Sequence, residues 1–324
     1  MQSVRNLARG EAAISQEQQA QDGCIICGHQ RGSVLTEDPR RLLECGKCGF
    51  VYADSKPSPT EMASYYGSGS EEGTQRGTAE GVSWFTGLVA RALKAKESLH
   101  RQRLALAGER VRRLAPVLRF AAGQTVLDVG CGRGEFLHAL DLRYPGLSLA
   151  AIEPSPEDAR YAREVYGLNV YETMLEEAGA LPKADVVTMF HVLEHVYDPA
   201  VALKKAGSLL ATKGLLVVEV PNMRLSRINL PLGGKVLFPG YHSPEHLWFF
   251  TPRSLKALLT KQGFRLITMT TYTFGLYPLI DLAALTTNNS VWHSIYLSLA
   301  RALTAPLSIV GAGLGVIAVA RIGK

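Results

Sequence analysis

The glycines in the middle of this chain lack the spacing of a dinucleotide fingerprint. They fall as Gly130-x-Gly132-x-Gly134, where that fingerprint needs Gly-x-Gly-x-x-Gly. Residues 1–22 are polar and Gln-rich and hold no apolar core of signal-peptide length, so the expectation is a cytoplasmic protein whose residues 1–21 are disordered. Cysteine is scarce, five in 324 residues. Four of the five sit in two close pairs, which argues against a disulfide framework and for metal binding in a reducing compartment. Aromatic and basic residues do not interleave along any strand-like run, so the stacking platform of a single-stranded nucleic-acid binder is missing.

The residues that are present point to an α/β protein. With 47% apolar residues, the chain can build one large domain and a small appendage. The net charge of +6 is local: nine Lys/Arg lie between Arg91 and Arg119, against Glu97 and Glu109. That segment reads first as a solvated amphipathic helix, and second as a surface for an anionic substrate or membrane. Its helical periodicity starts near Trp84, and Pro116 marks an end or a kink.

Cys24-x-x-Cys27-Gly28 and Cys45-x-x-Cys48-Gly49 form two knuckles seventeen residues apart. Two thiolates on each knuckle suit one tetrahedral Zn²⁺, and four sulfurs leave no open position, which makes the metal structural. A pair of redox-active CxxC motifs is the alternative. Residues 53–81, rich in Pro, Gly and Ser, read as a linker with Tyr65-Tyr66 as anchors. The predicted organisation is a disordered start over 1–21, a zinc ribbon over 22–60, a linker and basic helical lid over 61–119, and an α/β domain over 120–324.

From Thr125 strands and helices alternate. Thr125–Val129 runs into the three glycines and then helix formers, which reads as strand, tight turn and helix. A second strand, 147–152, ends in Glu153, 25 residues after Asp128. Ser155-Pro156-Glu157-Asp158 then caps a helix that stops at Gly167. Strands follow at 169–172 and 184–191. Asp198-Pro199 opens a helix predicted to stop at Gly214, before a strand at 215–220. Thr251-Pro252 opens a further helix that stops at Gly263, before a strand at 264–271. This alternation predicts a Rossmann-like, doubly wound parallel sheet with ligands at the strands' carboxyl ends.

Residues 302–320 carry no charge, long enough for a membrane span, but Pro306, Gly311, Gly313 and Gly315 interrupt them. The preferred reading is a final strand at 314–321 preceded by an apolar helical insertion at about 275–310. A monotopic membrane-facing patch stays open beside it.

Four blocks occur in an order that resembles class I S-adenosylmethionine (SAM)-dependent methyltransferases. They are the four-cysteine ribbon, Leu127-Asp-Val-Gly-Cys-Gly-Arg-Gly-Glu-Phe136, Phe190-His-Val-Leu-Glu-His-Val-Tyr-Asp-Pro199 and His246-Leu-Trp-Phe-Phe-Thr-Pro-Arg-Ser-Leu255. The resemblance spans about residues 24–324 and is to a subgroup that joins a ribbon to the SAM fold. That subgroup is similar to sugar C-methyltransferases and to methyltransferases of surface-polysaccharide or secondary-metabolite pathways. It implies SAM as cofactor, with Asp128 near the ammonium group, Gly130, Cys131 and Gly132 against the methionine moiety, and Glu153 on the ribose hydroxyls. Phe190 belongs to the same pocket. Thr173 and Met174 stand where the family often places an acid on the adenine amine. Cys131 reads as a small packed residue rather than a nucleophile or metal ligand.

Methyl transfer from a sulfonium depends on positioning, and a base is needed only if the acceptor must lose a proton. His191, Glu194, His195, His242, Glu245 and His246 cluster after the fourth and fifth strands. His191, His246 and Glu245 are the catalytic candidates. Glu194 and His195 read equally as structural hydrogen-bonding groups. Ubiquinone-pathway O-methyltransferases look similar here but carry an acid in place of His191, and some bind a divalent metal with this cluster.

The expected activity is methyl transfer to a small polar acceptor such as a sugar nucleotide. The rivals are O-methylation of a lipid or quinone-like substrate by a protein peripheral to the inner face of the membrane, a nucleic-acid-binding zinc-ribbon protein, and a SAM-binding scaffold without turnover.

Overall fold

The computed structural model describes residues 23–30, 32–36, 41–57, 61, 89–224, 245–272 and 313–323. Residues 1–21, expected to be disordered, most of the expected linker, His242 and the expected apolar insertion at about 275–310 lie outside the described residues. The first three strands, β1 (Gly32–Thr36), β2 (Leu42–Cys45) and β3 (Val51–Ala53), form an antiparallel meander that carries the cysteine knuckles.

A thirty-residue helix, α1 (Val89–Leu118), follows, with Pro116 in its last turn. Next come β4 (Thr125–Val129), α2 (Glu135–Arg143), β5 (Ser148–Ile152), α3 (Pro156–Tyr166), β6 (Asn169–Tyr171) and β7 (Ala184–Phe190). The remainder is α4 (Pro199–Leu209), β8 (Leu210–Pro221), β9 (Trp248–Phe249), α5 (Pro252–Lys261), β10 (Phe264–Tyr272) and β11 (Gly315–Ile322).

Helix starts follow the capping residues. Ser155 accepts from Asp158 N at the start of α3, Asp198 accepts from Ala200 N and Val201 N at α4, and Thr251 and Ser254 make a capping box at α5. The expected stop of α4 at Gly214 is corrected: the helix ends at Leu209 and β8 begins at once. Gly214 lies inside that strand at a register break, where an added Cβ would sit 3.0 Å from both Ala184 O and Ala211 O. Close backbone approach, rather than helix termination, accounts for this glycine.

Seven strands form one sheet in the order β10-β11-β8-β7-β4-β5-β6. Neighbours from β6 across to β8 are parallel, and β11 is antiparallel to both β8 and β10. The chain winds outward from β4 to β6 and then returns to place β7 on the other side of β4. The crevice between the ends of β4 and β7 is therefore the topological switch point, where ligands of such sheets bind.

Side chains alternate across the sheet. Leu127, Val129, Val187, Met189, Leu216 and Val218 join a core shared with α4, α5 and the ribbon. Val126, Val186, Val217, Ile317 and Val319 join another shared with α1, α2 and α3.

β11 bears out the final-strand reading of the uncharged carboxyl-terminal run. The glycines at and just before its start are there for contact: a Cβ on Gly315 would meet the Tyr272 ring at 2.3 Å, and one on Gly313 would meet Tyr272 backbone at 2.6 Å. No helix among the described residues is long and apolar enough to cross a membrane.

The ribbon sheet has a fourth strand from far along the chain. β9 pairs with β3 through Tyr52 and Val51, and Ala53 N donates to Leu247 O at 2.9 Å. Phe50 stacks on Trp248 at 6.3 Å and meets Phe250 at 5.5 Å.

Candidate active site

At the end of β4 the backbone turns through Gly130 and Gly132, both with φ in the left-handed region. A Cβ on Gly130 would lie 2.6 Å from Val192 Cγ2, so that glycine is needed for packing. A Cβ on Gly132 would meet nothing within 4 Å, so its main chain faces open space that a ligand can approach. Gly130 N donates to Ile152 O at 2.8 Å, tying the turn to the end of β5.

Glu153, at that end, accepts from Gly132 N at 2.7 Å through one carboxylate oxygen and from Ser155 N at 2.9 Å through the other. Each oxygen keeps a further lone pair, so two hydroxyl donors can still be accommodated. Burial pushes Glu153 up to about 7, against the two backbone hydrogen bonds that favour its charge.

Asp128 is buried and accepts from Thr188 Oγ1 at 2.6 Å. Burial lifts it too to about 7, opposed by the Thr188 bond and the charge of Arg110. A bound cation would reverse that lift and hold the carboxylate ionised. These donors and acceptors fit the amino acid and ribose parts of SAM. Cys131 is buried with its thiol on Gly132 O, and burial with the surrounding acids raises it far above the ordinary thiol range. It is a packed thiol.

Thr173 and Met174 sit half-buried just after β6, and the Thr173 hydroxyl donates to Met174 O at 3.3 Å. Phe190 is buried, edge-on to Phe136 at 4.6 Å, with the Arg110 guanidinium 4.8 Å above its ring.

Arg110 departs from the expected solvated face of the basic helix. It turns inward and pairs with Glu219, Nη2 to Oε1 at 2.6 Å, because a charge buried in β8 without a partner is strongly destabilising. Other arginines of α1 also meet acids: Arg112 and Arg113 pair with Glu109, and Arg103 lies 3.9 Å from Glu135.

Glu219 also accepts from the Tyr272 hydroxyl at 2.6 Å and lies 3.0 Å from His191 Nε2. The His191 Nδ1 is 3.1 Å from Glu194 Oε1. Burial opposes the charged ring, but these two carboxylates outweigh it and raise His191 to about 9. Glu219 is held well below the usual carboxylate range: burial works against its charge, and Arg110 and His191 overcome it. Glu194 is lowered in the same way by His191.

His195 donates from Nδ1 to Glu245 O at 3.2 Å, since a carbonyl can only accept, and its ring lies 4.6 Å from that of His246. Metal-type donor atoms of Glu194, His195 and His246 fall within 4.8 Å of one another. Leu247 N donates to Glu194 O at 2.8 Å and Trp248 Nε1 to Val196 O at 2.7 Å, so β9 fastens this cluster to the ribbon.

The structure thus gathers Asp128, Gly130, Cys131, Gly132 and Glu153 at one edge, and sets His191, Glu194, His195, Glu245 and His246 beside them. Sequence reasoning missed Arg110, Thr188, Glu219 and Tyr272. Glu219 carried a readable signal, one acid within an otherwise apolar strand, which demands a partner. Nothing singled Arg110 out among nine basic residues.

In the ribbon the four cysteine sulfurs lie within 4.8 Å of one another, with Cys24 to Cys48 and Cys27 to Cys45 both at 3.5 Å. Tetrahedral zinc with bonds of about 2.3 Å sets an S···S edge of ~3.8 Å, so the residues fit such an ion.

Sheet order, the glycine turn and the acids ending β4 and β5 define the class: the fold of SAM-dependent methyltransferases. A family model described as a methyltransferase domain matches residues 99–269, more than half of the chain, and the chain belongs to that family. It is similar to a ubiquinone biosynthesis O-methyltransferase of Azorhizobium caulinodans, 29% identical over 158 residues, 46% of this chain and 62% of the relative. A protein of the same description from Methylocella silvestris is 34% identical over 143 residues, 41% of this chain and 55% of the relative. The chain therefore spans less than two thirds of the length of these relatives. A solved complex of the Haloferax volcanii Trm112 methyltransferase activator with a putative methyltransferase superposes with a TM-score of 0.50 at 15% identity, over 72% of this chain and 96% of the matched chain.

Proposed function

We propose that this protein transfers a methyl group from SAM to a small polar acceptor, with a sugar nucleotide or a related pathway intermediate as the leading class. The carrying observation is the joined turn of β4 and β5, where Glu153 accepts from Gly132 N and Ser155 N while Asp128 stands buried near the end of β4. When bound, SAM supplies an electrophilic methyl group on a sulfonium. Asp128 accepts its ammonium group, the open backbone at Gly132 admits the methionine chain, and Glu153 accepts the ribose hydroxyls. Thr173 and Met174 lie on the adenine side.

Holding the acceptor in line is the remaining demand, and it can be worth up to about 7–11 kcal/mol in favourable systems. The edge formed by His191, His195, Glu245 and His246 is polar, which supports a polar acceptor. His191 gives both ring nitrogens to carboxylates, which favours an anchoring role for it over proton transfer. The cysteines hold a structural zinc in this reading, and the ribbon, fastened by β9, borders the acceptor side.

A second reading, O-methylation of a quinone-like substrate at a membrane surface, draws support from the description carried by the relatives. Incubation with methyl-labelled SAM and fractionated metabolites tests both. Label in a water-soluble, phosphate-bearing fraction supports the first, label in a lipid extract supports the second, and no transfer to any fraction opposes both.

A further inference from the structure

Glu219 is a carboxylate from the middle of the sheet with no exposed surface, and the reaction outlined above gives it no task. Three elements converge on it. Arg110 reaches it from α1 with Nε 3.0 Å from Oε2 and Nη2 2.6 Å from Oε1, Tyr272 from the end of β10 at 2.6 Å, and His191 from the turn after β7 at 3.0 Å. The His191 main chain joins in, its N–H donating to Glu219 O at 2.9 Å.

His191 itself has φ 55 without being glycine, a conformation that costs about 1–3 kcal/mol and persists where the surroundings over-determine it. Its side chain remains 42% exposed, so this restrained ring forms part of the site's open surface.

We infer that Glu219 is a positioning residue: acting with Glu194, it fixes the His191 ring at the acceptor edge with both ring N–H groups donated, and so gives His191 an anchoring role rather than a proton-accepting one. A neutral imidazole has one N–H, so its bare ring nitrogen would face a carboxylate oxygen lone pair to lone pair, at 3.0 Å from Glu219 or 3.1 Å from Glu194. Two flanking carboxylates therefore select the doubly protonated ring. The other charged or titratable groups around it are Arg110 and Tyr272, which hold Glu219, and His195 and His246, which face Glu194.

The inference rests on the proposed reading only in that His191 borders the acceptor, and its test needs no acceptor. Ring ¹⁵N spectra of the full-length protein at neutral pH, with His191 assigned by the loss of its signals in His191→Asn, should show two protonated ring nitrogens. In Glu219→Gln the Nε2 partner loses its charge, and His191 should become a neutral ring with one N–H. Should that variant fail to fold, Glu219→Asp, which keeps the charge but falls one methylene short of the ring, is read in the same way. A role for Glu219 in folding alone would lower the melting temperature and leave the ring doubly protonated in the folded variant; that outcome overturns the inference. SAM titration of the same samples reports separately on the cofactor reading.

Discussion

At the scale of single residues, the site is a set of buried carboxylates that differ in what holds them. Glu194 and Glu219 have cationic partners within the chain and stay ionised, whereas Asp128 and Glu153 have mostly neutral donors and are lifted to about 7. The sign for folding follows from proton binding. Asp128 and Glu153 hold protons in the folded chain at pH values where an unfolded chain has released them, so their contribution to stability is full at acid pH and declines as pH rises through about 7. For Glu194 and Glu219 the sign is opposite, and their contribution is lost on acidification below the ordinary carboxylate range. A cationic ligand at Asp128 requires the ionised form. SAM affinity should therefore rise from about pH 6 to about pH 7.5 and fall again once the ligand's own α-ammonium, ordinarily about 7.7–8.0, loses its proton; a calorimetric profile flat between about pH 6 and 7.5 would count against Asp128 and Glu153 as its receptors. At Glu219, Tyr272→Phe removes a hydrogen bond to a buried charge and should lower stability by about 1.5–3 kcal/mol in urea titration, with no change at that resolution placing the hydroxyl outside the network.

At the scale of elements, helix ends and strand ends were legible because they are written in short-range chemistry. Ser155-Pro156 and Thr251-Pro252 cap the helices they announced, and the acid ending each of β4 and β5 stands where an alternating pattern puts it. Long-range contacts were not legible. Gly214 looked like a helix stop because a glycine between a helix and a strand usually is one, and only the neighbouring Ala184 backbone shows that it serves close approach inside β8. Gly313 and Gly315 looked like breaks in an apolar run, whereas they make room for Tyr272. Gly315→Ala puts a methyl group 2.3 Å from that ring, so it should destabilise the protein by about 1–3 kcal/mol, and the loss should shrink in the Tyr272→Ala background. Equal losses in the two backgrounds would mean that the ring is not what the methyl group meets.

At the scale of the whole molecule, the ribbon and the sheet domain read as two parts in sequence because Trp248 lies 198 positions after Phe50, and no local pattern reports that pairing. In the folded chain they share one core and one four-stranded sheet. Trp248 is the joint: it pairs with Tyr52, stacks on Phe50 and donates to Val196 O beside the histidine cluster. Trp248→Ala should cost about 3–5 kcal/mol in chemical denaturation, as for other large buried side chains. Removing the proposed zinc should be felt across the same joint. Cys45→Ser is expected to abolish one bound zinc per chain by elemental analysis and to move tryptophan fluorescence toward that of exposed indole. Full zinc content in that variant, or loss of zinc with unchanged fluorescence, would separate the ribbon from the site.

The central claim is that the β4 and β5 turn receives SAM, and isothermal titration calorimetry with SAM tests it most directly. The account predicts one saturable site per chain in the wild type. In Asp128→Asn and in Glu153→Gln, affinity should fall by roughly ten- to a hundredfold each, the worth of a charged hydrogen bond of about 1.5–3 kcal/mol. Absence of binding in the folded wild type, or the same affinity in all three proteins, would contradict it.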